Sequence, residues 1–142
     1  MSRLVSRRVL SIARRVRSEL LLRSSTERDL AGACGLASMR IAEALEDVAV
    51  FRVGFFMRHC VLFGRRGRYP HAHAWCRVGG AIVDVTATQF GRYPAIHVVA
   101  ASATDRYVEC ADGKQAIDEV MREWRLDRVP EYRRLRRRLT AC

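Results

Sequence analysis

Val5, Val9, Ile12, Val16 and Leu20 recur at the spacing of one helical face, and Arg7, Arg8, Arg14, Arg15 and Arg17 fill much of the remaining circumference. This predicts an amphipathic basic helix within residues 1–23. After the polar link RSSTERD, Ala37, Ile41, Ala44, Leu45 and Val48 mark a second helical stripe, predicting a helix from near Gly32 to about Asp47. From Ala49 the period changes to two: Phe51, Val53, Phe55 and Met57 alternate with Arg52, Gly54, Phe56 and Arg58, the pattern of a strand. CVLF and then GRRGRYP follow, the latter expected to be a loop. Further strands are expected at 71–78, 81–86, 95–100 and, weakly, 106–110. Ala116, Ile117, Val120, Met121 and Trp124 suggest a helix over 113–127, and Tyr132, Leu135 and Leu139 a short basic helix after Pro130. Helices, an antiparallel meander, then helices describe an α+β chain.

Composition narrows the class. At 142 residues, with 49% apolar positions, the chain has the size of one domain (1–142) able to bury a core without disulfides or metal. No apolar run reaches the roughly 18 residues of a membrane span, and the N-terminal stretch lacks the uninterrupted apolar region of a signal peptide. Five scattered cysteines without CxxC spacing read as reduced thiols, which leads to an expected cytoplasmic location. The alternatives are a secreted effector without such a signal or, since residues 1–23 are rich in arginine and serine, a mitochondrial presequence. The net charge of +11 is concentrated at the ends, +6 over residues 1–23 and +5 over 122–142, with a neutral middle. Contact with nucleic acid or an anionic surface is therefore expected through the terminal helices.

The polar residues of the HAHAWCRVGGAIVDVTATQF stretch carry the chemistry. Gly79-Gly80 suits a two-residue turn that pairs Val78 with Ala81, and counting back pairs Trp75 with Asp84 and His73 with Thr86. His71, His73 and Trp75 then share a face with Asp84 and Thr86, and His73 and Asp84 are diagonal neighbours within reach of a hydrogen bond. A carboxylate inside AIVDVTA needs a partner, because burying one alone costs several kcal/mol. The bland alternative has Asp84 bonded to Thr86 or Thr88 in a turn and both histidines on the surface. Cys34 adds a second element: a thiol in the first turn of a helix lies among unpaired N–H groups at the positive end of the helix dipole, an environment suited to a nucleophile and to a developing oxyanion.

GACGLAS followed by HAWCRVGGAIVDVT resembles the Cys, His-Ala-Trp, Asp order of papain-like and transglutaminase-like cysteine enzymes. That superfamily includes cysteine peptidases, arylamine N-acetyltransferases, papain-fold toxins, effectors that deamidate protein glutamine, and the small leader peptidases of lasso-peptide biosynthesis. The resemblance covers roughly residues 27–110, the expected catalytic core, and DVTATQFG is similar to the continuation in bacterial and phage-borne members. It implies a small papain-like or transglutaminase-like α+β domain, with an antiparallel sheet packed on helices and the nucleophile at a helix N-terminus. By the same resemblance Cys34 is the nucleophile, His73 the general base and Asp84 the residue orienting it. The implied activity is a cysteine hydrolase or acyltransferase acting on a protein or peptide amide, with no cofactor. Papain-type peptidases carry an oxyanion-hole glutamine before the cysteine, and STERDLAGAC has none. Gly35, Gln89 from a loop folding back, Trp75 and His71 are the oxyanion or substrate-binding candidates.

Two rival readings remain. His71-x-His73 could ligate a metal with His59, His97 or Cys34, although the expected assignment is no metal. The alternative function is a non-enzymatic basic module that binds nucleic acid or an anionic surface through RRVLSIARRVR and YRRLRRRL.

Overall fold

The structure, a computed structural model, describes residues 4–23, 33–110, 118, 119, 122, 130 and 132–134. Helix α1 spans Arg7–Arg23 and α2 Cys34–Ala44, followed by strands β1 (Ala49–Leu62), β2 (Arg65–Val78), β3 (Ala81–Asp84), β4 (His97–Ala100) and β5 (Tyr107–Glu109). The strands form one antiparallel sheet in the order β4-β3-β2-β1-β5. The architecture is α+β, with a five-stranded antiparallel sheet and helices. No described helix is long and apolar enough to cross a membrane. The predicted starts near Gly32 and residue 27, and most of the two C-terminal helices, lie outside the described residues; 118, 119, 122, 130 and 132–134 are helical.

The apolar stripes pack as their periods require. Val5, Val9, Ala13, Val16 and Leu20 of the N-terminal segment join Cys34, Ala37, Ile41 and Leu45 in one core with Phe51, Val53, Ala74, Cys76, Val83 and Val85 from the sheet. Tyr132 joins the same core and donates its hydroxyl to Asp118. The exit from α2 is tight, since Leu45 O accepts both Val48 N at 2.9 Å and Ala49 N at 2.7 Å, and β1 begins at once.

Two turns decide the meander. Between β2 and β3 only Gly79 takes positive φ, +58°, the pattern of a II′ turn. The expected Val78↔Ala81 register follows and continues through Arg77↔Ile82 to Cys76↔Val83. The second turn corrects the sequence reading: GRRGRYP is no loop. The chain reverses earlier, at Phe63-Gly64, both at positive φ (+52° and +75°), and residues 65–70 run back as the first half of β2. Arginine-rich composition disguised a strand that is paired across fourteen rungs from Leu62↔Arg65 to Ala49↔Val78.

Candidate active site

β2 carries His73 into the middle of the sheet, where it is completely buried. The β2–β3 ladder stops at Cys76↔Val83, short of the expected Trp75↔Asp84 and His73↔Thr86 pairs, and Asp84 is the last residue of β3. The carboxylate meets the ring as the hairpin register predicts: His73 Nε2 lies 2.7 Å from Asp84 Oδ2. The turn bonds of the alternative are made as well, since Asp84 Oδ1 accepts the Thr86 N–H at 2.9 Å and the Thr86 hydroxyl at 3.2 Å, but its surface histidines are not found: His73 is fully buried. The Tyr107 hydroxyl donates to Oδ2 at 2.8 Å. Each carboxylate oxygen thus has two partners, which is how a buried Asp is tolerated.

Cys34 is the first residue of α2, and its side chain acts electrostatically on His73, helping to raise the imidazole. Ala33 before it offers no capping side chain, so no side-chain oxygen competes for the first-turn N–H groups. Burial works against charge on His73, but the Asp84 carboxylate and then Cys34 outweigh it, and the imidazole is pushed up to about 10. For Asp84 burial opposes ionisation, while His73, the Thr86 N–H and the Tyr107 hydroxyl hold the carboxyl below its ordinary value. The pair is one coupled interaction, an imidazolium held against a carboxylate. Burial and Asp84 push the Tyr107 phenol well above its ordinary range, keeping it a neutral donor.

Gln89 does come back to the site. The 3-10 helix Ala87–Phe90 puts its side-chain nitrogen 3.5 Å from His73 Nδ1, a weak contact. Two anchors hold this segment. Phe90 stacks on Phe56 (4.3 Å between ring centroids, 5° between planes) and meets His73 edge-on at 4.9 Å. Arg17 of α1, only 4% exposed, donates to Val85 O at 2.7 Å and Thr88 Oγ1 at 3.1 Å, gripping the chain between Asp84 and Gln89. On periodicity Arg17 belonged to the solvated face of α1; in the structure it points into the protein.

The other candidates lie close by. Gly35 is buried in the first turn of α2. Trp75 is fully buried, packs edge-on against Tyr107 at 5.1 Å, and its Nε1 has no hydrogen-bond partner among the described residues. His71 sits one pleat from His73, 5.7 Å from the Phe90 ring, with Nε2 likewise unpartnered; burial and then Arg58 lower its pKa. His97, opposite Asp84 on β4, is also shifted down, chiefly by burial. Among the described residues no three His, Cys, Asp or Glu side chains converge as metal ligands.

Sequence reasoning missed Tyr107, Arg17 and Gly54. Gly54 stands opposite His73 on β1, and a Cβ there would lie 2.0 Å from Val108 O. Glycine inside a strand signals a close backbone approach, so this signal was readable. Nothing local marks Tyr107 or Arg17, whose roles depend on which elements pack together. No protein-family model, curated protein or solved structure matches the chain.

Proposed function

We propose that the protein is a cysteine-dependent hydrolase or acyltransferase acting on a protein or peptide amide, built on a small papain-like or transglutaminase-like domain. The observation that carries this reading is the buried 2.7 Å His73–Asp84 bond, with the Cys34 thiol at the start of a helix and acting electrostatically on the same imidazole. Cys34 sulfur attacks the carbonyl carbon, and its proton resides on His73. The C–N bond breaks as His73 gives that proton to the leaving amine, and a thioester remains. Water or an amine then attacks the acyl carbon, giving its proton to His73, and the C–S bond breaks to restore Cys34. Asp84 holds the ring orientation throughout, while the Cys34 N–H and the Gln89 side chain are the oxyanion donors. This chemistry needs no cofactor.

The competing account is a buried structural pair, and it is favoured by burial: Cys34 is 2% exposed. A comparison within the molecule separates the two. Cys76 is as buried as Cys34 but donates its S–H to Ser38 O at 3.1 Å and, by strand alternation, faces the opposite side of β2 from His73. In the native protein at mildly acidic pH, iodoacetamide should modify Cys34 well before Cys76; equal inertness means a structural pair. Mass spectrometry of peptide and protein substrates should then show either cleavage or a gain of about 1 Da, absent with Cys34→Ala. His73→Ala should lower turnover by about 100-fold or more, and His71→Ala only modestly. Equal total loss in both variants would count against His73 as the base.

A further inference from the structure

The distal half of the β1–β2 hairpin leaves the body of the protein. β5 pairs with β1 only over Gly54–Phe56, and β3 with β2 only over Cys76–Val78. Met57 N–H still bonds to Arg106 O at 2.7 Å, so the five rungs from Arg58↔Tyr69 to Leu62↔Arg65 form a two-stranded arm about 17 Å long, tied to the body through Arg68, which donates to Asp105. It carries Arg58, Arg65, Arg66 and Arg68 and no acidic residue. The neutral middle of the sequence thus conceals a concentrated positive charge. Among the described residues, only Arg68 of these four finds a carboxylate, Asp105, at 3.1 Å.

The tip breaks a local rule. Two-residue turns with both φ values positive favour Asn, Asp or Gly, yet Phe63 occupies the first position at φ +52° with its ring wholly exposed. Val61 and Leu62 beside it are also exposed. The tip backbone is braced all the same, the Tyr69 hydroxyl donating to Arg65 O at 2.7 Å. A strained turn that presents a bare aromatic ring on a braced support is a feature of a contact surface.

We propose that this arm docks in the major groove of B-form duplex DNA, with Phe63 as an apolar contact to its floor. Strand alternation sets Arg58 and Arg65 on one face of the ribbon and Arg66 and Arg68 on the other. A bilayer or an acidic protein patch offers charge on one side, whereas a groove offers phosphates on both. The major groove, about 12 Å wide, admits a two-stranded ribbon, and its thymine methyls offer apolar surface to an aromatic side chain such as Phe63. The A-form groove of duplex RNA is too narrow. This inference is independent of the chemistry at Cys34.

The test measures binding of the full chain to a fluorescent DNA duplex, to duplex RNA and to anionic vesicles across a salt series. Arg58→Gln/Arg65→Gln/Arg66→Gln should weaken DNA binding by at least about tenfold and reduce the salt slope by about 0.9 for each arginine lost. Phe63→Asn should weaken binding several-fold while leaving thermal stability equal or higher, because Asn suits the turn; this separates docking from folding. Glutamine at Arg133, Arg134, Arg136, Arg137 and Arg138 should leave most of the affinity. The proposal is overturned if wild type does not bind DNA, if it binds vesicles or duplex RNA more tightly, or if the terminal arginines and not the arm carry the affinity.

Discussion

The two halves of the β1–β2 hairpin share strands, register and alternation, yet they live in different solvents. In the proximal half, Phe51, Val53, Ala74 and Cys76 pack under the helices, while Phe56 and His73 meet the rings of Phe90 and Tyr107. In the distal half the body touches the ribbon through Met57, bonded to Arg106 O, and Arg68, bonded to Asp105; the residues toward the tip are exposed, and arginines occupy both faces. The difference lies in what packs on the ribbon, since pairing is the same throughout. Burial makes the His73–Asp84 pair strong and costly to break, and exposure makes the arm tolerant of change.

The largest expected effect therefore sits in the covered half. Asp84→Ala strands a buried imidazole together with the Thr86 N–H and the Tyr107 hydroxyl, and should cost about 3–5 kcal/mol in urea unfolding. The pH dependence has two limbs. His73 is raised in the fold, so its contribution is complete below the unfolded value of 6.5 and is lost as pH climbs through about 10. Asp84 is depressed, so its contribution is complete above 3.8 and is lost as pH falls through its lower folded value. The pair should thus stabilise most between about 4 and 6.5, and a His73→Gln variant should lose the alkaline limb. An unchanged alkaline limb would mean that the pair is not ionic.

Gly54→Ala comes next. The added methyl would fall 2.0 Å from Val108 O and 2.9 Å from Glu109 Cα, both backbone, so β5 must move and with it the Tyr107–Asp84 bond. We expect about 2–3 kcal/mol of destabilisation, read from the urea midpoint.

How much of this was legible without coordinates divides along the same line. The α+β order, the Gly79-Gly80 hairpin and the His73–Asp84 contact follow from local pattern, because turn length and a period of two fix which side chains share a face. Cys34 at a helix start was readable from the change of period. GRRGRYP was misread because arginine and glycine signal a loop by composition, whereas pairing to a partner strand decides the conformation. Tyr107 reaches Asp84 only because β5 adds to the far side of β1, so its role has no signature in the sequence. Arg17 was hidden because a helical wheel counts every arginine as solvated.

Arg17 gives the third expected effect. Arg17→Met keeps the apolar bulk but removes the donor to Val85 O and Thr88 Oγ1, and should cost about 2 kcal/mol. Arg14→Met on the exposed side of the same helix should stay within about 0.5 kcal/mol of wild type. Circular dichroism melts of the two variants, measured together, distinguish a buried anchor from a charged face.

The smallest effect belongs to the arm and should carry the opposite sign to Gly54→Ala. Gly67 lies on β2 opposite Cys60, at an ordinary negative φ, and the nearest atoms to a Cβ there would be those of the Tyr69 ring at 3.6–3.7 Å. That is normal van der Waals contact, so the folded state loses nothing. The unfolded chain loses backbone freedom when glycine becomes alanine, and Gly67→Ala should therefore stabilise by about 0.4–1 kcal/mol. The same substitution thirteen residues apart in one hairpin then reports whether a third backbone lies against the ribbon. If Gly67→Ala instead destabilises as much as Gly54→Ala, the arm packs against the protein in solution, and the contrast between a covered and a bare half fails.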